Sequence, residues 1–197
     1  MSAPSTTMPT DSQWNLPARG PVGMYGLIAA EAAIFTIFVV AYIFYTGKSL
    51  TGPQPRDVLH APIFFTICLL SSSLTVHFAV KSLRRGNVRA FAWWWLVTIA
   101  LGAAFLTGTA LEWRHLIYDE GLTIQTNLFG TTYYSLVGLH GFHVTVGLLA
   151  LAAVSLLTFF GHIGQERAGR VEVLSMYWHF VDAVWVVVFV VVYIAGR

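Results

Sequence analysis

The chain has 197 residues, of which 56% are hydrophobic, 15% are aromatic and only 10% are charged. Soluble domains carry about 25% charged residues, so this composition excludes an ordinary soluble protein and predicts one embedded in a lipid bilayer. A formal net charge of +2, without a basic cluster interleaved with aromatic residues, argues against a nucleic-acid partner. The single cysteine, Cys68, excludes an internal disulfide and a multi-cysteine metal site.

The chain opens with a polar stretch and continues with five long apolar runs. Residues 1–22 are rich in Ser, Thr and Pro and lack the charged-then-apolar pattern of a cleaved signal peptide, so they predict a polar tail. Each apolar run approaches or exceeds the roughly 20 residues that a helix needs to cross the hydrocarbon core. The sequence predicts an all-α integral membrane bundle, one domain over residues 23–197, with spans at about 23–46, 60–82, 90–111, 130–160 and 175–195.

Basic residues are distributed unevenly between the two sides of the predicted bundle. If the spans alternate in direction, seven Lys and Arg residues lie on the side of the N-terminus and four on the other side. Cytoplasmic loops of membrane proteins carry the excess of basic residues. The sequence therefore predicts an N-terminus inside and a C-terminus outside.

The first span contains a carboxyl group, Glu31, well within its apolar run. An ionisable group at this depth is costly to bury and is commonly retained for function. Glu31 is either a helix-packing carboxyl group bonded to a neighbouring helix or a proton-conducting or lipid-contacting site, and the second interpretation is favoured. Gly23, Gly26, Ala30 and Ala33 form a stripe of small residues on this helix, a pattern typical of close packing between membrane helices.

The third span ends in a different kind of polar group. Glu112 and Trp113 lie at its outer end, where charged residues and tryptophan are ordinary anchors at the membrane surface. We interpret both residues as candidates for contact with lipid or with a partner.

The fourth span carries two histidines, His140 and His143, which lie three residues apart and so share one helix face. This geometry is compatible with ligation, but one pair supplies only two nitrogens, and a haem or metal site would need ligands from other helices. His77 and His179 are available for that purpose, so a haem site stays an alternative. The favoured interpretation is that the two histidines form hydrogen bonds across the bundle.

The fifth span contains a histidine and a carboxyl group, His179 and Asp182, again three residues apart. A helical rise of about 1.5 Å per residue places Asp182, Glu31 and His143 at similar depths, with His77 and His179 nearer the N-terminal side. We expect a buried polar layer that also includes His140 and serves proton supply, lipid contact or helix packing.

Trp178 and Trp185 flank the polar pair of the fifth span and are further candidates for contact with lipid or a partner. Elsewhere the chain shows no nucleophile triad, phosphate loop or nucleotide-binding fingerprint. The sequence thus predicts no catalytic residue and no metal ligand in this chain.

The order of these motifs resembles subunit III of the haem–copper terminal oxidases over residues 23–197. Glu31 matches an intramembrane glutamate of that family, followed by aromatic residues. The segments at 74–79 and 84–87 are similar to its next hairpin, and Glu112-Trp113 is similar to its glutamate–aromatic pair. The two clearest likenesses are the histidine segment of the fourth span and the run YWHFVDAVW of the fifth.

The resemblance implies a non-catalytic accessory subunit of a respiratory oxidase, which reduces O2 to water and translocates protons. It implies that haem and copper are held by a large catalytic subunit, that this chain binds phospholipid but no haem or copper, and that its partners are that subunit, other oxidase subunits and membrane lipids. It also implies support of proton uptake, lipid binding and turnover stability, in a multi-pass protein of the bacterial cytoplasmic (inner) membrane.

Some family members have seven helices, and this chain resembles the five-helix bacterial type, which lacks the first two. Two alternatives stay open: the small subunit of a nitric oxide reductase system, and an independent haem-binding or proton-translocating membrane protein. The sequence also leaves open whether the electron donor of the complex is cytochrome c or quinol.

Overall fold

The computed structural model describes residues 19–49 and 52–196, and within this part all regular structure is helical. A 3-10 turn, Gln165–Arg167, precedes the last α-helix, and a π-helical turn, Val190–Ala195, follows it. The α-helices are α1 (Arg19–Tyr45), the short α2 (Pro55–Val58), α3 (Ile63–Arg84), α4 (Val88–Tyr118), α5 (Leu128–Phe159) and α6 (Ala168–Phe189).

Five helical segments in the described residues are long and apolar enough to cross a membrane. The shortest of them has 22 residues, which at about 1.5 Å per residue exceeds the roughly 30 Å of a hydrocarbon core. The predicted fold, an all-α bundle of five membrane-spanning helices, is therefore confirmed.

The ends of the helices differ from the predicted spans at three places. Residues 1–18 of the predicted tail lie outside the described residues, and α1 begins at Arg19. The α4 helix continues to Tyr118 instead of ending near residue 111, and the fifth segment begins at Gln165 instead of near residue 175. The added residues include charged ones because a helix continues into the water-exposed layer after its apolar part has ended.

Asparagine side chains define where two of the long helices begin. The Asn87 side chain accepts a hydrogen bond from the Ala90 amide at 3.0 Å, and Asn127 accepts one from the Gly130 amide at 2.8 Å. Each bond satisfies one of the free amides that every helix start leaves. Gly86, at φ +76°, supplies the left-handed residue of the tight turn before α4. Consequently α3 and α4 form an antiparallel hairpin.

The helices pack so that α6 lies centrally. It contacts α1, α3 and α5, while α1 also packs against α5, and α4 lies between α3 and α5. The turn between α3 and α4 meets the link between α5 and α6, where Gln165 Nε2 donates to the Arg84 carbonyl at 2.8 Å. We call this side the basic end, because it carries Lys81, Arg84, Arg85, Arg89, Arg167 and Arg170.

Two tryptophans proposed as lipid or partner contacts lie instead in the core of this chain. Trp178 and Trp185 expose 0% and 1% of their surface, so neither lipid nor another subunit reaches their rings. That expectation is corrected. The reason is that α6 is central, so its aromatic residues are covered by the neighbouring helices.

Candidate functional site

Glu31 and His143 form a direct contact between α1 and α5. His143 Nε2 lies 3.0 Å from Glu31 Oε2, and the two side chains expose 8% and 21% of their surface respectively. The Phe35 ring packs against the imidazole with centroids 5.0 Å apart, one helical turn along α1. A carboxyl group and an imidazole therefore meet inside an apolar setting, where each is the hydrogen-bond partner of the other.

The hydrogen bonds fix how many protons this contact holds. His143 Nδ1 lies 2.8 Å from the Leu139 carbonyl, which only accepts, so Nδ1 carries a hydrogen. The contact between Nε2 and Glu31 then contains one proton, either on the imidazole or on the carboxyl group. The pair has no net charge in either arrangement, which avoids the large cost of an isolated charge in the membrane interior.

A second cluster lies between α3 and α6. Ser73 Oγ donates a hydrogen bond to Asp182 Oδ2 and lies 3.1 Å from His179 Nδ1. Asp182 is buried, with 3% of its surface exposed, and its other oxygen, Oδ1, has no hydrogen-bond partner. One serine hydroxyl thus connects the histidine and the carboxyl group that the sequence places on one helix face.

Residues that the sequence predicted in one polar layer therefore lie in two separate clusters. The first joins Glu31 to His143, and the second joins Asp182 and His179 to Ser73. Among the described residues, no hydrogen bond or ion pair connects the two clusters. The number of residues along a helix sets the depth of a side chain along the axis, whereas its direction around the axis depends on packing.

The remaining two histidines of the predicted layer have different surroundings. His140 is fully buried and stacks on the Trp185 ring at 4.9 Å between centroids, with Phe105 at 5.7 Å, and neither ring nitrogen has a hydrogen-bond partner. His77 is exposed and lines a groove between α3 and α6 together with His179. The expectation of hydrogen bonds across the bundle thus holds for His143 and not for His140.

Glu112 belongs to a third polar contact, at the end of the bundle opposite the basic end. Tyr193 donates a hydrogen bond to Glu112 Oε1 at 2.8 Å, and the Tyr133 hydroxyl lies 3.4 Å from that of Tyr193. The neighbouring Trp113 is half-buried and packs its ring against Tyr134. Glu112 therefore connects α4 to the segment that follows α6, a contact that the sequence did not indicate.

Within the described residues, no group of three or more His, Cys, Asp or Glu side chains has the geometry to hold a metal ion. Each carboxyl–histidine contact of the membrane interior involves one carboxyl group and one imidazole. Ser73 is a site residue that the sequence did not predict. The one feature that could have indicated it is a run of three serines inside an apolar span.

The fold and these clusters define a class: a multi-pass helical membrane protein that places carboxyl groups, histidines and a serine between its helices. Comparison with known proteins gives the family. A family model described as cytochrome c oxidase subunit III matches residues 22–197. The chain belongs to the cytochrome c oxidase subunit III family, and the resemblance found in the sequence is confirmed.

Individual relatives cover nearly the whole chain. Cytochrome c oxidase subunit 3 of Corynebacterium diphtheriae is 40% identical over 184 residues, which are 91% of this chain and 89% of the relative. The subunit 3 of Alkalihalophilus pseudofirmus is 33% identical over 89% of this chain and 86% of its own length. Quinol oxidase subunit 3 of Bacillus subtilis is 28% identical over the same shares.

Proposed function

We propose that this chain is an accessory subunit of a respiratory haem–copper terminal oxidase in a bacterial cytoplasmic membrane. The observation that carries the proposal is the family match over residues 22–197, together with relatives that are named as subunits of oxidases. In this proposal haem and copper are held by a large catalytic subunit, where O2 is reduced to water. The relatives carry the names of both cytochrome c and quinol oxidases, so the electron donor stays open.

The chain supports proton uptake through its carboxyl–histidine pairs in this proposal. The Glu31–His143 contact holds one proton that either partner can carry, so the pair can exchange protons without creating an isolated buried charge. A polar layer of this kind next to a catalytic subunit supplies protons at membrane depth. It also keeps α1 in register with α5.

Substitution of Glu31 tests this role. Glu31→Ala removes the acid and the hydrogen bond and leaves the buried His143 nitrogen unpaired, whereas Glu31→Gln keeps a donor to that nitrogen and removes only the acid. In the purified complex we expect Glu31→Ala to slow proton uptake and to shorten the active lifetime during sustained turnover, with an unchanged haem and copper content. Glu31→Gln, as the matched control, separates the two effects: it slows proton uptake but preserves more of the lifetime.

If both variants match the wild-type complex in proton uptake and in lifetime, Glu31 has neither role. A loss of haem or copper in Glu31→Ala would instead show that the chain shapes the metal sites themselves.

A groove between α4 and α5 supports the phospholipid part of the proposal. It has a volume of about 660 Å3, within the roughly 300–1,000 Å3 of ligand sites, and reaches from Val88 and Phe159 at the basic end to Ile99. Eleven residues of helix correspond to about 16 Å, which is half of a hydrocarbon core. The groove is therefore one leaflet deep.

The chemistry of this groove matches an anionic phospholipid of the basic-end leaflet. Its lining is almost entirely apolar, Trp95 forms part of its wall, and Arg89 lies at its mouth without an acidic partner among the described residues. An acyl chain fills the apolar length, and the phosphate meets the guanidinium group. A basic residue near a membrane surface contributes about 1 kcal/mol to binding of anionic lipid.

Arg89→Gln tests the lipid site. In complexes reconstituted into nanodiscs, we expect the preference for phosphatidylglycerol over phosphatidylcholine at this chain to fall about fivefold, the equivalent of about 1 kcal/mol. Arg114→Gln at the opposite end of α4 is the matched control and should leave the preference unchanged. Equal lipid retention in Arg89→Gln and the wild type, measured by native mass spectrometry, would contradict the site.

A further inference from the structure

The groove between α3 and α6 leads from the basic end toward the buried Asp182. It has a volume of about 400 Å3 and opens beside the ion pair of Arg84 with Glu172. The titratable side chains that line it are His77, Lys81 and Arg84 from α3, and Glu172 and His179 from α6. This groove, which carries five titratable side chains on a largely apolar wall, reaches from the basic end to the His179 ring.

Ser73 continues the connection from His179 to the membrane interior. Its Oγ atom lies 3.1 Å from His179 Nδ1 and donates a hydrogen bond to Asp182 Oδ2. A hydroxyl group donates one hydrogen and accepts others, so it can accept from the imidazole while it donates to the carboxyl group. Three groups in sequence, an imidazole, a hydroxyl and a carboxyl group, thus form an unbroken hydrogen-bonded path.

The neighbouring serines do not share this arrangement. Ser72 donates to the Leu69 carbonyl and accepts the indole hydrogen of Trp178, so its bonds are structural. The side chain of Ser71 is half-buried and makes no hydrogen bond in the part of the chain that the structure describes. Among three consecutive serines, only Ser73 bridges two titratable groups.

Asp182 itself is buried within the bundle, with 3% of its surface exposed. Its Oδ2 atom accepts a hydrogen bond from Ser73, and its Oδ1 atom has no hydrogen-bond partner among the described residues. From α1 and α5, which also pack against α6, the titratable groups at membrane depth are Glu31, His140 and His143. Glu31 and His143 bind each other, and His140 lies among aromatic rings.

We infer that Asp182 is a proton-exchange site, loaded from the basic-end water layer through His179 and Ser73. A hydronium ion in the groove gives a proton to His179 at Nε2 and is left as water. The Nδ1–H bond then breaks as its proton moves to Ser73 Oγ, and the original Ser73 hydroxyl proton moves to Asp182. One proton has passed from water to the carboxyl group, and the reverse sequence returns it. The inference rests on the proposed role in proton uptake and assigns that role a route.

Infrared spectroscopy of the assembled complex tests the route without using turnover. The Asp182 carboxyl signal is identified as the difference between wild type and Asp182→Asn, and its shift is followed after exchange of H2O for D2O and after a change in pH. We expect Ser73→Val, which removes the hydroxyl and fills its space, to slow this exchange about a hundredfold or more, the contribution of one positioned proton-transfer group. Ser71→Val is the matched control and should exchange like the wild type.

Each outcome decides the inference. Exchange in Ser73→Val as fast as in the wild type, or an Asp182 signal that responds to neither D2O nor pH, overturns it. Equal slowing in Ser71→Val and Ser73→Val would also overturn it, because general disturbance of α3 would then be the cause. If the complex assembles normally but the exchange rates contradict the route, only this inference is wrong. Failure to isolate the chain with an oxidase would instead contradict the proposed function.

Discussion

At the scale of residues, two buried tryptophans of α6 have their indole hydrogens bound by hydroxyl groups of α3. Trp178 Nε1 donates to Ser72 Oγ at 2.8 Å, and Trp185 Nε1 donates to Thr66 Oγ1 at 3.2 Å. Because the two tryptophans lie seven residues apart, they share a face of α6, which runs antiparallel to α3. Each indole buries a large apolar ring and places its single donor on a hydroxyl group of the opposite helix.

The Trp178–Ser72 contact predicts coupled stabilities. Trp178→Phe and Ser72→Ala each remove the same hydrogen bond, so the double variant should be less destabilised than the sum of the single ones. Hydrogen bonds between membrane helices show coupling energies of about 0.6 kcal/mol on average and about 1.7 kcal/mol at most. Unfolding of the four proteins in mild detergent measures this energy, and strictly additive effects would show that the bond contributes nothing.

The clusters show what residue counting can predict. Depth along each axis placed Glu31 and His143 at one level, and they are in contact. Asp182 was assigned to the same level, yet its partner is Ser73 on a different helix, because the direction around the axis is set by packing. A helix that is apolar on all sides gives no periodic signal for that direction. The contact between Ser73 and Asp182 therefore could not be predicted from the sequence, although each residue stands out there as a polar group in an apolar span.

At the scale of elements, the five spans follow from length and apolarity, but their ends and neighbours do not. Polar residues such as Arg114 and His115 ended the predicted third span, whereas the helix continues through them into the exposed layer. Which helices touch depends on close contacts of small residues with large ones. The closest of these lies in the hairpin of α3 and α4.

Gly108 packs directly against a ring of the neighbouring helix α3. A Cβ atom added there would lie 2.2 Å from Phe65 Cγ, so the ring or the helix must move. We expect Gly108→Ala to destabilise the chain by about 1–3 kcal/mol, the usual cost of overpacking. Thermal unfolding of the purified complex, followed at this subunit, measures the effect.

Gly141→Ala is the control for that substitution, because a Cβ atom there meets nothing within 4 Å. Alanine is favoured over glycine inside a helix by roughly 0.5–1 kcal/mol, so this variant should be neutral or slightly more stable. Equal behaviour of the two variants would contradict the packing of α3 against α4.

At the scale of the whole molecule, the chain combines a well-packed interior with a surface that is largely apolar. The α1 helix is the least buried of the five membrane-spanning helices, and Gly23 and Gly26 have open space around them. The close helix packing that the stripe of small residues on α1 predicts is therefore not made by Gly23 and Gly26 within this chain, and we expect a partner helix there. The orientation with the basic end inside also stays a prediction, which the distribution of Lys and Arg supports.

Isolation of the chain from its native membrane tests the central claim most directly. An affinity-tagged chain is purified in mild detergent, its partners are identified by mass spectrometry, and the visible spectrum of the product is recorded before and after the partners are removed. We expect a stoichiometric complex with a haem–copper catalytic subunit, whose haem bands leave with that subunit. A chain that purifies alone, or that keeps a haem band of its own, would contradict it.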